Sequence, residues 1–387
     1  MTAILLDSIR AVFADGGIYL ALFAFLALAM IVELITENPL VSRWLARAGA
    51  LALALFVGLR WETGTDWIPY FRIFYTNDTS MDYDTTVFGI DQGYLWLNQA
   101  VYWLDRDYTT FLLVSAFLAV GLVYYFIEKS TTLPCMAVYL FYTSYIVTHF
   151  MGSNRRMIAI GLVCVAFAAL REPGTLLRRW PRWAIPFAIA STIHRTSVAA
   201  LPGLVVSRRA WPAWAVVLGL LACLGLGMLG LPFAALEALG GMLSDYTGIA
   251  AINKLVFYTS GDAVLDANFN VVAQAVLGVV KRSTVLLIAI IYMHYNRPVE
   301  YAQRLYNIYI IGCAIYFLMI GSPIFQIIST YYSIVEIVLL PIIFSQLPQF
   351  KVPYTLYLLI VPLLLLISAL TPYLELYVPY LSAFHLA

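Results

Sequence analysis

Stretches of roughly 20 mostly apolar residues, the length that crosses a bilayer core of about 30 Å as helix, recur along nearly the whole chain. Lipid leaves no backbone polar group a partner outside its own segment, so such runs fold as membrane-spanning helices. Short breaks containing Pro, Gly or Arg part them, and no repeat or low-complexity linker intervenes. With 63% hydrophobic and 11% charged residues, the 387 residues form a single integral membrane domain over 1–387. The formal charge of +1, without a basic arm or acidic tail, carries no message about nucleic acid. Cys135, Cys164, Cys223 and Cys313 lie inside apolar runs and none is in CxxC spacing, which argues against disulfides and a cysteine metal site. Residues 4 to 14 are amphipathic and do not read as a cleaved signal peptide.

Spans are expected near 17–36, 44–60, 108–127, 133–150, 156–170, 211–233, 270–295, 304–322, 324–345 and 354–370. The fold class is therefore all-α and polytopic, with about ten transmembrane helices. Arg43, Arg47, Lys129, Arg171, Arg178, Arg179, Arg182, Arg208, Arg209, Arg297, Arg304 and Lys351 fall in short loops that the positive-inside bias places in the cytoplasm. The longer polar stretches 61–107 and 234–268 then lie outside, as periplasmic loops. Acidic residues outnumber basic ones in the first, including Glu62, Asp66, Asp91 and Asp107.

Residues 183–206 do not fit a simple crossing, because arginines flank them on both sides and His194-Arg195 stands at the centre. One crossing would invert every later loop against the charge bias. A re-entrant hairpin avoids this, each half of about 11 residues rising roughly 16 Å as helix. Its tip is expected to face protein or a wet cavity.

Arg60, Arg155, Arg156, Arg195, Lys281 and Arg282 are then on the outer side or within apolar helices, against the usual bias. One reading is a basic cavity beneath the outer surface, holding a lipid-linked diphosphate through planar guanidinium forks. The plainer reading is snorkelling to headgroups or pairing with carboxylates such as Glu62 and Asp66. His194 suits a general base, since imidazole titrates near neutrality and neighbouring guanidinium charge favours its neutral form. Asp66 and Glu62 are alternative bases, or partners of Arg60. His149 borders the same region, and Glu336 calls for a basic partner that the sequence does not name. Trp61, Trp67, Tyr70, Tyr94, Trp96, Tyr102 and Trp103 suit either sugar stacking or interface anchoring. Tyr246, Lys254 and Tyr258, in the second outer stretch, are placed to close over a lipid substrate. No carboxylate pair or histidine cluster points to a metal, and no cofactor is implied.

The run Arg60-x-x-x-Gly64-Thr65-Asp66-Trp67-x-x-Tyr70 resembles the opening motif of the EpsG family of Wzy-like polysaccharide polymerases. Arg155-Arg156-Met157-Ile158-Ala159 resembles that family's Arg-Gln-x-Ile-Ala helix start, with Arg156 in place of glutamine. Ile193-His194-Arg195-Thr196-Ser197 resembles its hydrophobic-His-x-Ser/Thr hairpin. The likeness covers about residues 50–205, and Ile327-Ile328-Ser329-Thr330-Tyr331-Tyr332 has Ser or Thr where the family pattern leads one to expect a basic residue.

The resemblance implies a fold like the multispanning, metal-independent glycosyltransferases with lipid-phosphate donors (GT-C-like). It further implies glycosyl transfer at the outer face of a bacterial inner membrane. A growing glycan would pass from a polyprenyl diphosphate to the non-reducing end of a second lipid-linked repeat unit, with a flippase and a chain-length regulator as partners. His194, Asp66 and Glu62 are the catalytic candidates; Arg60, Arg155, Arg156, Arg195, Lys281 and Arg282 are the diphosphate-binding ones. A flippase or transporter of lipid-linked sugars is the competing class, and a glycan ligase shares the same donor. Against a carrier, the charges gather towards one face and no inverted pair of broken helices is evident.

Overall fold

The computed structural model describes residues 2–76, 90–172, 178, 180–244, 271–296, 298–320, 322–347 and 351–386. In chain order, the helices leading to the first motif are α1 (Thr2–Asp15), α2 (Gly17–Thr36) and α3 (Pro39–Gly58). Beyond it come α4 (Trp67–Thr76), α5 (Gln92–Leu104), α6 (Tyr108–Ser130), α7 (Pro134–Phe141) with a π-helical extension Tyr142–Phe150, and α8 (Asn154–Ala168). Next are α9 (Trp180–Ile193), a 3-10 turn Arg195–Ala200, α10 (Leu201–Leu204), α11 (Ala213–Met228), α12 (Leu231–Ser244), α13 (Val271–Tyr295) and α14 (Glu300–Leu318). The chain ends with α15 (Pro323–Gln326), a 3-10 turn Ile327–Ser329, α16 (Thr330–Ser333), α17 (Glu336–Ser345), α18 (Lys351–Leu370) and α19 (Leu374–Tyr377).

Among the described residues six helices are long and apolar enough to cross a membrane: Gly17–Thr36, Pro39–Gly58, Tyr108–Ser130, Ala275–Tyr295, Ile327–Ser345 and Pro353–Tyr377. The polytopic helical architecture is as expected, and of the ten spans expected, six such helices stand among the described residues. α8, beginning after the turn at Gly152-Ser153, has 15 residues, and α11, beginning after the Pro212 N-cap and ending at Met228 ahead of Gly230 (φ +69°), has 16. At 1.5 Å per residue, 15 residues reach only about 23 Å. The 19-residue α14 carries Glu300, Arg304 and Asn307, too polar a face for lipid.

α7, α8 and α14 are largely buried within the protein, whereas α11 is mostly exposed, with only Val216, Leu220 and Gly227 buried. Every residue of α7 is buried, packed among α2, α3 and α17, and the π extension rests on α18. The N-terminus of α7 is capped across the bundle by Glu33 of α2, whose carboxylate accepts the amides of Cys135 and Met136 at 3.0 Å each. Glu33 is 1% exposed, so its removal strands two buried donors. Glu33→Ala is expected to destabilise the protein by about 1–3 kcal/mol per orphaned amide, seen as a lower unfolding temperature in detergent. Glu33→Gln, which keeps one acceptor, is expected to lose about half as much.

α8 packs between α6 and α9. Gly161 permits the close approach to α6, since a Cβ there would stand 3.0 Å from the Ala119 carbonyl oxygen. Where a hairpin is expected, α9 ends at Ile193, His194 is extended (φ −150°, ψ 100°), and the chain continues through the 3-10 turn Arg195–Ala200 into α10. Of the two long polar stretches, 77–89 and 245–270 lie outside the described residues, including Tyr83, Tyr246, Lys254 and Tyr258.

Candidate functional site

The first motif is a tight loop laid against the turn before α8. Gly64 has φ +113°, and a Cβ on it would come within 2.3 Å of the Met151 carbonyl oxygen, so only glycine fits this approach. The C-terminal tail clamps the loop from the other side. Trp61 N donates to the Leu381 carbonyl (2.9 Å), Gly64 N to the Leu376 carbonyl (3.0 Å) and Ala383 N to the Leu59 carbonyl (2.8 Å). Arg60 pairs with Ser382 in the one isolated β-bridge among the described residues.

Arg60 is 1% exposed and donates to the Val57 carbonyl and, at 2.5 Å, to Asn154 Oδ1. Asn154 Nδ2 in turn donates to Tyr108 OH at 3.2 Å. Arg60 therefore anchors the start of α8 and is not grouped with the other arginines. Glu62 is exposed, in left-handed backbone (φ +46°), without a hydrogen bond to any described residue. Trp67 is buried, stacked on Phe71 and edge-on to Tyr108 and Trp61, an internal aromatic cluster rather than a membrane belt. Tyr70 OH shares a hydrogen bond with Ser153 Oγ (2.8 Å) and accepts one from Arg155 Nε (3.2 Å).

Asp91, which the sequence reading had not singled out, joins the second and third motifs. Its Oδ1 accepts from Arg195 Nε at 2.6 Å, while Oδ2 stands 3.4 Å from Arg155 Nη1 and 3.6 Å from His194 Nδ1. Asp91 occupies the N-cap position of α5 yet its side chain caps nothing. Asp107, at the same position of α6, accepts the Thr109 amide at 2.9 Å as N-cap aspartates do. The missed signal was local: an aspartate before a helix reads as a cap, and only its neighbours in space divert it. Burial opposes charge on Asp91, but the adjacent His194 ring, the hydrogen bond from Arg195 and the charges of Arg155 and Arg195 outweigh it, so its pKa falls below the usual carboxylate value. His194, outside the six long apolar helices, is lowered to about 4, first by burial and then by Arg155 and Arg156, against the pull of Asp91. Burial raises Asp66, with Arg156 the largest opposing charge.

Arg156 differs from its neighbour. Its Nε is buried without a hydrogen-bond partner, and its guanidinium makes no hydrogen bond or ion pair with a described residue. It is within electrostatic reach of Asp66, His194, Tyr331 and His149. His149, on the π extension, also senses Lys281 and Arg282 and shares a 3.3 Å hydrogen bond with Thr330 through Nε2. Arg282 donates to Ser329 Oγ (3.4 Å) and lies 3.5 Å over the Tyr316 ring. Ser329 and Thr330 thus hold basic groups brought in from α13 and the π extension, so positive charge stands beside them although that helix carries none.

Lys281 pairs with Glu336 at 2.6 Å, supplying the partner that the sequence left open. Both are largely shielded, with side-chain exposures of 16% and 3%. Lys281→Met is expected to lower stability by about 3–5 kcal/mol by stranding the carboxylate. Adding Glu336→Leu is expected to recover most of that loss, measured as thermal unfolding of the detergent-solubilised protein. Among the described residues no group of three or more His, Cys, Asp or Glu side chains is arranged to hold a metal.

The model of the EpsG family, a family of Wzy-like polysaccharide polymerases, matches residues 43–382. The match extends well beyond the stretch 50–205 and takes in the tail that clamps the first motif. No curated protein and no solved structure matches the chain. The chain belongs to the EpsG family.

Proposed function

We propose that this EpsG-family membrane protein is a glycosyltransferase that moves a growing glycan from a polyprenyl diphosphate to the non-reducing end of a lipid-linked repeat unit. The reaction takes place at the outer face of a bacterial inner membrane, with residues 183–206 entering and leaving from the cytoplasmic side. The observation that carries this reading is the uncommitted guanidinium of Arg156, on which the three motifs converge through Asp66, Arg155 and His194. Arg156 is half-buried, and its buried Nε, left without a hydrogen-bond partner, is a donor that an anionic ligand would satisfy. The outer face is supported by the Lys and Arg bias of the short loops, which puts the stretch holding Asp91, Asp66 and Glu62 on the exported side.

In the reaction, His194 Nε2 takes the proton of the acceptor hydroxyl as that oxygen bonds to the anomeric carbon. The bond from the same carbon to the diphosphate oxygen breaks, and its electron pair leaves on the diphosphate. Arg156 stabilises the charge that develops there, with Arg282 beyond His149 and the paired Arg155 and Arg195 beside it. Asp66, next to Arg156, is the alternative base; Arg60 and Lys281 serve the framework, and Glu62 has no part in the step. The test is reconstitution of the purified protein with lipid-linked repeat units. A ladder of glycan lengths supports the proposal. A single transfer to another acceptor, as by a ligase, or relocation without bond formation, as by a flippase, contradicts it.

A further inference from the structure

We infer that Asp91 is a positioning residue which sets the tautomer of His194, holding a proton on Nδ1 so that Nε2 presents its lone pair to the acceptor. The inference rests on the proposed role of His194 as base. His194 Nδ1 is buried without a hydrogen-bond partner, and Asp91 Oδ2, 3.6 Å away, is the acceptor placed near it. The other charged groups acting on His194 are Arg155 and Arg156 from the start of α8, and a guanidinium offers nothing that could accept the Nδ1 proton. Asp91 itself is held by Arg195 on Oδ1 and Arg155 on Oδ2, which fixes the carboxylate in the plane from which Oδ2 reaches the ring. Its failure to cap α5 is the local sign that the side chain is employed elsewhere. Among the neutral forms of an imidazole, one nitrogen donates and the other accepts, so fixing Nδ1–H fixes Nε2 as the base.

The substitution Asp91→Asn makes the inference sharp. An amide has one acceptor oxygen where the carboxylate has two, and the shortest contact, to Arg195 Nε, claims it. The amide NH2 then faces Arg155 and His194, and His194 Nδ1 accepts rather than donates. The proton moves to Nε2, which removes the base without removing the histidine.

The chain has four histidines, so nitrogen-15 histidine labelling of the full-length protein in lipid nanodiscs resolves His194, with His194→Gln identifying its signals. The wild type is expected to show a protonated Nδ1 and a bare Nε2 at neutral pH. Asp91→Asn is expected to invert that pattern and to lower kcat about 10²-fold or more, while affinity for polyprenyl diphosphate changes little. Asp91→Glu is expected to restore the wild-type tautomer in part. A bare Nδ1 in the wild type, or an unchanged tautomer in folded Asp91→Asn, overturns the inference. If the tautomer inverts as expected but His194→Gln still makes a full ladder, the role of His194 as base fails and the positioning by Asp91 stands.

Discussion

Replacing Arg156 with glutamine is expected to lower polymer formation about 10²- to 10³-fold, the scale on which a lost charge-stabilising donor acts, with protein level and thermal unfolding unchanged. Stability should hold because the guanidinium makes no hydrogen bond or ion pair with a described residue that its removal would break. Arg156→Lys retains the charge but not the planar fork, and is expected to recover only part of the activity. Arg155→Gln differs in kind. It breaks the contacts to Tyr70 and Asp91 that join the first and second motifs to the outer stretch, so yield of folded protein should fall together with activity. Equal losses in both arginine variants at constant yield would count against the separate roles assigned to them.

His194→Gln is expected to reduce turnover by about 10²- to 10⁴-fold, the range for loss of a general base. The pH profile distinguishes this from a loss of packing. A base works in its neutral form, so activity falls as pH drops through its pKa. With His194 lowered to about 4 by burial and by Arg155 and Arg156, turnover should stay level from pH 8 down to about 5, whereas an ordinary imidazole would halve it near 6.5. Arg156→Gln removes one of the charges that lower this pKa, so in its residual activity the acid limb moves to higher pH. Loss of the Asp91 carboxylate removes a group that raises it, and the limb moves lower. Turnover that halves near pH 6.5 in the wild type would contradict the buried environment of His194.

Much of this was legible in the chain, and what was missed has physical reasons. Apolar periodicity gave the helical membrane class because lipid forces it, but hydropathy cannot see that α7 and α8 are shielded by protein and so need not span. The order Arg60, Arg155, His194 marked the segments that meet. It did not reveal their division of labour, since sequence cannot tell that Arg60 is buried on Asn154 while Arg156 is left without a partner. Asp91 was counted only as one acidic residue of an exported stretch, because the contacts that recruit it come from residues 64 and 104 positions away. The clamp by Leu376, Leu381 and Ala383 likewise had no local signature, being made through backbone groups that every residue has.

The central claim is that the diphosphate of the lipid donor binds at Arg156. A structure of the full-length protein in a nanodisc with polyprenyl diphosphate tests it most directly. The expected result is phosphate density within hydrogen-bond distance of Arg156, on the side facing His149 and Arg282, with the contacts of Asp91 to Arg155 and Arg195 intact. Density seated instead on Arg155 and Arg195 with Asp91 displaced, and Arg156 still without a partner, would contradict it.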